Sequence, residues 1–99
     1  MRIVAVTACP TGIAHTYMAA EKLERAARKL GHEIRVETQG SMGIEGALTR
    51  DEVDRADVVL LAAGIAVRDR DRFEGKRVVE VSVAEAIRNA EGVLAGLGA

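Results

Sequence analysis

Ile3-Val4-Ala5-Val6-Thr7-Ala8-Cys9-Pro10-Thr11-Gly12-Ile13-Ala14-His15-Thr16 passes from an apolar run, through a glycine-containing turn, into a helical pattern. Residues 2–8 have the composition of a central strand covered on both faces. From Ile13 to Leu30 the residues Ile13, Tyr17, Ala20, Leu23, Ala27 and Leu30 recur at helical spacing. Glu21, Lys22, Glu24, Arg25, Arg28 and Lys29 fill the remainder. Gly31 stands where a helix usually stops. A strand feeding a helix in this way opens a β-α-β unit, which is right-handed and places the next strand parallel to the first.

The rest of the chain continues the alternation. Residues 33–38 oppose Ile34, Val36 and Thr38 to Glu33, Arg35 and Glu37, which predicts a strand exposed on one face at a sheet edge. Gln39-Gly40-Ser41-Met42-Gly43 reads as a flexible loop. Thr49 and Glu52 have the spacing of a capping box and open a short helix through Ala56. Val58-Val59-Leu60-Leu61-Ala62-Ala63 is a second buried strand, and Val78-Val79-Glu80-Val81 a fourth. Ser82 with Glu85 opens a last helix carrying Val83, Ile87, Ala90, Val93, Leu94 and Leu97. The expected fold is α/β: a three-layer sandwich with a four-stranded parallel sheet, order 2-1-3-4, flanked by helices. Its switch point lies between the first and third strands, and ligands in such sheets bind beyond the carboxyl ends there. Cys9 stands at that place.

The chain has 99 residues, enough for one domain spanning 1–99. Apolar residues make up 48% of it but aromatics only 2%, so the core must be aliphatic. A net charge of -1 argues against a nucleic-acid surface. A single cysteine excludes an internal disulfide and suits a reducing compartment. The longest apolar runs are strand-sized, and the first strand begins almost at Met1, leaving no space for a signal peptide. The expected location is cytoplasmic, either alone or as a module of a longer polypeptide.

Cys9 is the candidate nucleophile. A thiol at a strand-to-helix junction faces unpaired N–H groups and the positive end of the helix dipole, which stabilise a thiolate and hold a phosphoryl group carried on it. An ordinary thiol titrates near 8.5, so roughly a tenth or less is ionised near neutrality; a drop of about two units, roughly 2.7 kcal/mol, ionises most of it. Pro10 stiffens the exit from Cys9. Gly12 lets successive amides point inward. Thr11 and Thr16 supply hydroxyls, Ile13 and Ala14 supply amides, and His15 offers a ring to a phosphate oxygen or to the thiol. The phosphate-binding loop is therefore Pro10, Thr11, Gly12, Ile13, Ala14, His15 and Thr16. A blander alternative makes Cys9 a small buried apolar residue and His15 a surface histidine.

The pattern Cys-x5-His-Thr is similar to the Cys-x5-Arg-Ser/Thr loop of protein tyrosine phosphatases. There the arginine grips phosphate with two parallel hydrogen bonds. His15 occupies its place, and the loop after the fourth strand has no aspartate to protonate a leaving group. Losing both slows hydrolysis and preserves a phosphocysteine, which suits a carrier.

The segment from Val4 to Glu21 resembles the active-site signature of the fructose-specific enzyme IIB component of the bacterial phosphoenolpyruvate-dependent sugar phosphotransferase system. Val36-Glu37-Thr38-Gln39-Gly40-Ser41 and Arg72-Phe73-x-Gly75-Lys76 resemble further segments of that family. The resemblance implies that Cys9 takes phosphate from a phosphohistidine of the IIA component. It then passes it to fructose held by the membrane IIC component, with no cofactor or metal. Fructose-like or mannose-derived sugars, a low-molecular-weight cysteine phosphatase and a non-catalytic regulatory module are the alternatives. Two positions depart from the family pattern: Tyr17 where phenylalanine is expected, and Gly64 where an aspartate usually ends the third strand. Arg68, Arg70 and Arg72 read first as a solvated charge run and second as a steering patch for a phosphorylated partner.

Overall fold

The computed structural model describes residues 1–9, 13–40 and 43–97. Its elements are β1 (Arg2–Ala8), α1 (Ile13–Leu30), β2 (Glu33–Gly40), β3 (Gly43–Glu45), α2 (Arg50–Arg55), β4 (Val58–Ala63), a 3-10 turn (Arg70–Phe73), β5 (Val78–Val81), α3 (Val83–Arg88) and α4 (Ala90–Leu97).

The sheet has five strands in the order β3-β2-β1-β4-β5. Strand β1 runs parallel to β2 and β4, and β4 parallel to β5, while β3 is antiparallel to β2. This corrects the expectation of a four-stranded, all-parallel sheet in the order 2-1-3-4. Within and beside the segment read as a flexible loop, Thr38 pairs with Glu45, Gln39 with Ile44 and Gly40 with Gly43, while Ser41 and Met42 lie outside the described residues. Gly43 has a φ of 102°, a conformation that side chains disfavour, so the turn chemistry is real but ends in a strand. With β3 along its outer side, β2 is an interior strand, and Val36, Glu37, Thr38 and Gln39 are all buried.

Two apolar clusters form because adjacent residues of a strand face opposite ways. Ile3, Ala5, Val36, Val58, Leu60 and Ala62 pack beneath α1, α3 and α4, meeting Ala19, Leu23, Ala27, Ala86 and Leu94. Val4, Val6, Val59 and Leu61 face the other way and meet Leu48, Val53, Ala56 and Phe73. Among the described residues, no helix is long and apolar enough to cross a membrane.

Local chemistry sets the helix boundaries. Gly31, at φ 77°, ends α1; its N–H reaches the Arg28 carbonyl and that of His32 the Ala27 carbonyl, which satisfies two orphan acceptors. Thr49 and Glu52 form the reciprocal capping box on α2. Ser82 accepts from the Glu85 amide at the start of α3. The single helix expected after Ser82 is divided at Asn89, whose amide group lies against Gly92, 2.3 Å from where a Cβ would sit. Asparagine favours helix starts, and here it interrupts an apolar pattern that runs through the break. Lys76 and Arg77, just before β5, close two helix ends. Lys76 Nζ donates to the carbonyls of Asp54 and Ala56 at the end of α2, and Arg77 Nη1 to that of Leu97 at the end of α4.

Candidate active site

Cys9 leaves β1 at its carboxyl end, beyond fully buried Ala8. It is half-buried against the cluster beneath α1, and its Sγ lies 3.8 Å from Nδ1 of His15. His15 is exposed in the first turn of α1, so the sulfur touches both the apolar layer and a polar ring at the surface. Ile13, Ala14, His15 and Thr16 form that first turn, at the positive end of the helix dipole. Pro10, Thr11 and Gly12 lie outside the described residues. Thr16 is buried, and its carbonyl accepts from the buried Thr7 hydroxyl at 3.1 Å. Thr7 was not singled out in the sequence; this bond ties the end of β1 to the first turn of α1 across the Cys9 loop. Tyr17 extends the tie outward, its hydroxyl donating to the Glu45 carboxylate on β3. That hydrogen bond, then burial, raises the Tyr17 phenol above its ordinary value.

The neighbouring strands carry a polar network that the sequence reading missed. Glu37 is paired in register with Val6, and Gln39 with Ala8. Glu37 is fully buried. Its Oε1 accepts from the Leu48 amide at 2.9 Å and Arg72 Nη1 at 2.8 Å. Its Oε2 accepts from Arg72 Nη2 at 2.6 Å and Gln39 Nε2 at 2.7 Å. Burial alone would push this carboxyl up, but the bonds from Arg72, Gln39 and Leu48 outweigh it and hold it below the ordinary glutamate value. Gln39 also accepts from the Arg68 N–H at 2.8 Å and donates to the Arg68 carbonyl at 3.3 Å. Three segments are thereby drawn to the carboxyl end of β2: the approach to α2, the loop after β4 and the 3-10 turn.

The solvated charge run is exposed at Arg68, Asp69, Arg70 and Asp71 and departs from that reading at Arg72. Arg72 is mostly enclosed, its guanidinium paired with Glu37 and stacked 4.6 Å above the Phe73 ring. Arg70 is exposed and paired with Glu80 at 2.7 Å. Arg68 is exposed at its side chain, although its main chain is anchored by Gln39. Gly64, the departure noted at the end of the third expected strand, donates to the Ala8 carbonyl at 2.8 Å and so lies beside the residue preceding Cys9.

A half-buried thiol at the carboxyl end of the central strand, beside a helix start, is the arrangement of a phosphate-carrying cysteine. The model of the lactose/cellobiose-specific IIB subunit of the phosphotransferase system matches residues 4–96. This chain belongs to the IIB family. The fructose-like EIIB component 2 of Escherichia coli is 48% identical over 98 residues, covering 99% of this chain and 92% of that protein. The 2-O-alpha-mannosyl-D-glycerate-specific EIIABC component of Escherichia coli is 54% identical over 92 residues, 93% of this chain and 14% of that protein. The crystal structure of a domain of the fructose-specific IIABC component of Borrelia burgdorferi superposes with a TM-score of 0.90 at 58% identity, covering 94% of this chain and 88% of that one. As a IIB protein, this chain is a phosphotransferase of a sugar uptake system, and membership implies dealings with IIA and IIC components and a sugar.

Proposed function

We propose that Cys9 accepts a phosphoryl group from the phosphohistidine of a IIA component and transfers it to fructose held by a membrane IIC component. In the first step the Cys9 thiolate attacks phosphorus, an S–P bond forms, and the P–N bond breaks with its electron pair returning to the donor imidazole. In the second a sugar hydroxyl attacks the same phosphorus and loses its proton, while the S–P bond breaks and the thiolate is restored. The observation that carries this reading is the seat of the sulfur at the carboxyl end of β1, 3.8 Å from His15 and beside the first turn of α1. Amides at a helix start favour both the thiolate and the transferred group.

The proposed cradle comprises Pro10, Thr11, Gly12, Ile13, Ala14, His15 and Thr16, and the proposed module is the single IIB domain 1–99, acting in the cytoplasm against its membrane permease. Fructose is favoured by the similarity to a fructose-like EIIB component. A mannose-derived sugar is the second reading, since identity to the mannosyl-glycerate protein is 54%. His15, occupying the place of the arginine in phosphatase loops, supports a carrier over a phosphatase.

The test is mass spectrometry after incubation with phosphoenolpyruvate and the upstream carriers. One phosphate on the Cys9 sulfur is the expected product. A protein that stays unmodified, or that carries phosphate only on a histidine, rules the mechanism out.

A further inference from the structure

Three arginines follow β4 at alternate positions, and the structure gives each a different fate. The charge of Arg72 is absorbed by buried Glu37 and that of Arg70 by Glu80. The Arg68 guanidinium has no ion-pair or hydrogen-bond partner among the described residues, yet its main chain is anchored by a buried side chain. Gln39, itself only 4% exposed, binds both the N–H and the carbonyl of Arg68. These two bonds fix the point from which the Arg68 side chain leaves the loop.

The path of the chain shows where that main chain is held. Gly64 is bonded to Ala8 on β1, and four positions later Arg68 is bonded to Gln39 on β2. Strand β1 lies beside both β2 and β4, so the segment from Gly64 to Arg68 crosses the carboxyl end of β1, where Cys9 emerges. Asp69, at φ 56°, then turns the chain away into the 3-10 turn. The first turn of α1 meets Cys9 from one face of the sheet, and the Arg68 main chain is anchored on the other face at the carboxyl end of the adjacent strand β2, where Gln39 is in register with Ala8.

We propose that Arg68 is a phosphate-binding residue of the transfer reaction, its guanidinium taking oxygens of the phosphoryl group as that group passes onto Cys9. This rests on the reading of Cys9 as the phosphate carrier. Guanidinium and phosphate suit one another through paired, charge-assisted hydrogen bonds, and a backbone fixed one strand away from Cys9 lets the Arg68 side chain reach the group without rearrangement of the loop.

The experiment measures the rate of phosphoryl transfer from the phosphorylated IIA component onto Cys9, across a range of ionic strength, with the product located by mass spectrometry. Arg68→Gln should lower kcat/KM by about tenfold at low salt, the rate equivalent of one charge-assisted contact, and should flatten its dependence on salt. Arg68→Lys should recover much of the loss. Arg70→Gln, which removes the same charge from a position paired with Glu80, should transfer like the unsubstituted protein. An Arg68→Gln variant that keeps the full rate at low salt overturns the proposal, as does an equal loss in Arg70→Gln, which would mean that net charge matters and position does not. Failure of the unsubstituted protein to take phosphate on sulfur is a separate result, and it removes the carrier reading itself.

Discussion

Glu37 and Arg72, 35 positions apart, meet in a two-pronged ion pair at 2.8 and 2.6 Å on the face of the sheet away from α1. The carboxylate also receives a strand neighbour, Gln39, and the Leu48 amide, so both its oxygens are fully engaged. Such saturation lets a charge survive where water is absent.

Glu37→Gln should therefore cost about 2–3 kcal/mol, somewhat below the usual loss from breaking a buried pair because 19% of the Arg72 side chain still meets solvent. In a domain of this size that is a fall in Tm of roughly 10–20 °C. Urea unfolding provides the check. The double substitution Glu37→Gln with Arg72→Met should cost less than the two single losses added together, since neither partner is left charged and alone. Strict additivity would mean that the two side chains are energetically independent.

Acid should weaken the fold through the same carboxylate. Its folded value lies below the ordinary glutamate value of about 4.3, so its contribution is complete above that pH and is lost as pH falls through the folded value. Glu52, lowered by Arg35 and then the Thr49 amide, and Glu80, lowered by Arg70, shift the same way but face solvent and add little. Unfolding free energy measured from pH 7 downward should hold until about pH 4 and then drop, with a shallower drop in Glu37→Gln. Stability that rises on acidification would contradict this sign.

Cys9→Ser should abolish phosphoryl transfer and leave the fold in place. Oxygen resembles sulfur in size, but a hydroxyl does not ionise near neutrality. The half-buried position predicts a stability change of less than about 1 kcal/mol. Phosphate uptake by the serine variant at the original rate would remove the thiolate from the mechanism.

His15→Ala should slow transfer by about tenfold without stopping it, because the first-turn amides of α1 remain while one polar contact to the sulfur goes. Stopped-flow transfer from the phosphorylated donor measures this. Complete loss would assign His15 a chemical role beyond contact.

The sequence made the central strands and α1 legible because burial on two faces leaves a continuous apolar run, and an amphipathic helix leaves a repeat. Cys9 and His15 were legible as a pair because the strand-loop-helix order brings both to one strand end. The interior of β2 was not legible. Alternation through Arg35 and Glu37 is the mark of a wetted face, and only the arrival of Arg72 and the Leu48 amide makes a buried glutamate tolerable. Strand β3 was hidden because Gly43-Ile44-Glu45 is too short to display a period and begins with a turn former. The break at Asn89 was hidden by apolar spacing that continues across it, although the asparagine itself was the available clue.

Lys76 and Arg77 are consecutive, yet they hold helices on opposite sides of the sheet. Surface turns commonly tolerate a residue gained or lost, but here a change of one would send each cation to the wrong layer. Both anchorages would fail together. The length of this short connection is thus under tighter constraint than the identity of its exposed neighbours, and indel scanning should find it among the least forgiving stretches outside the core.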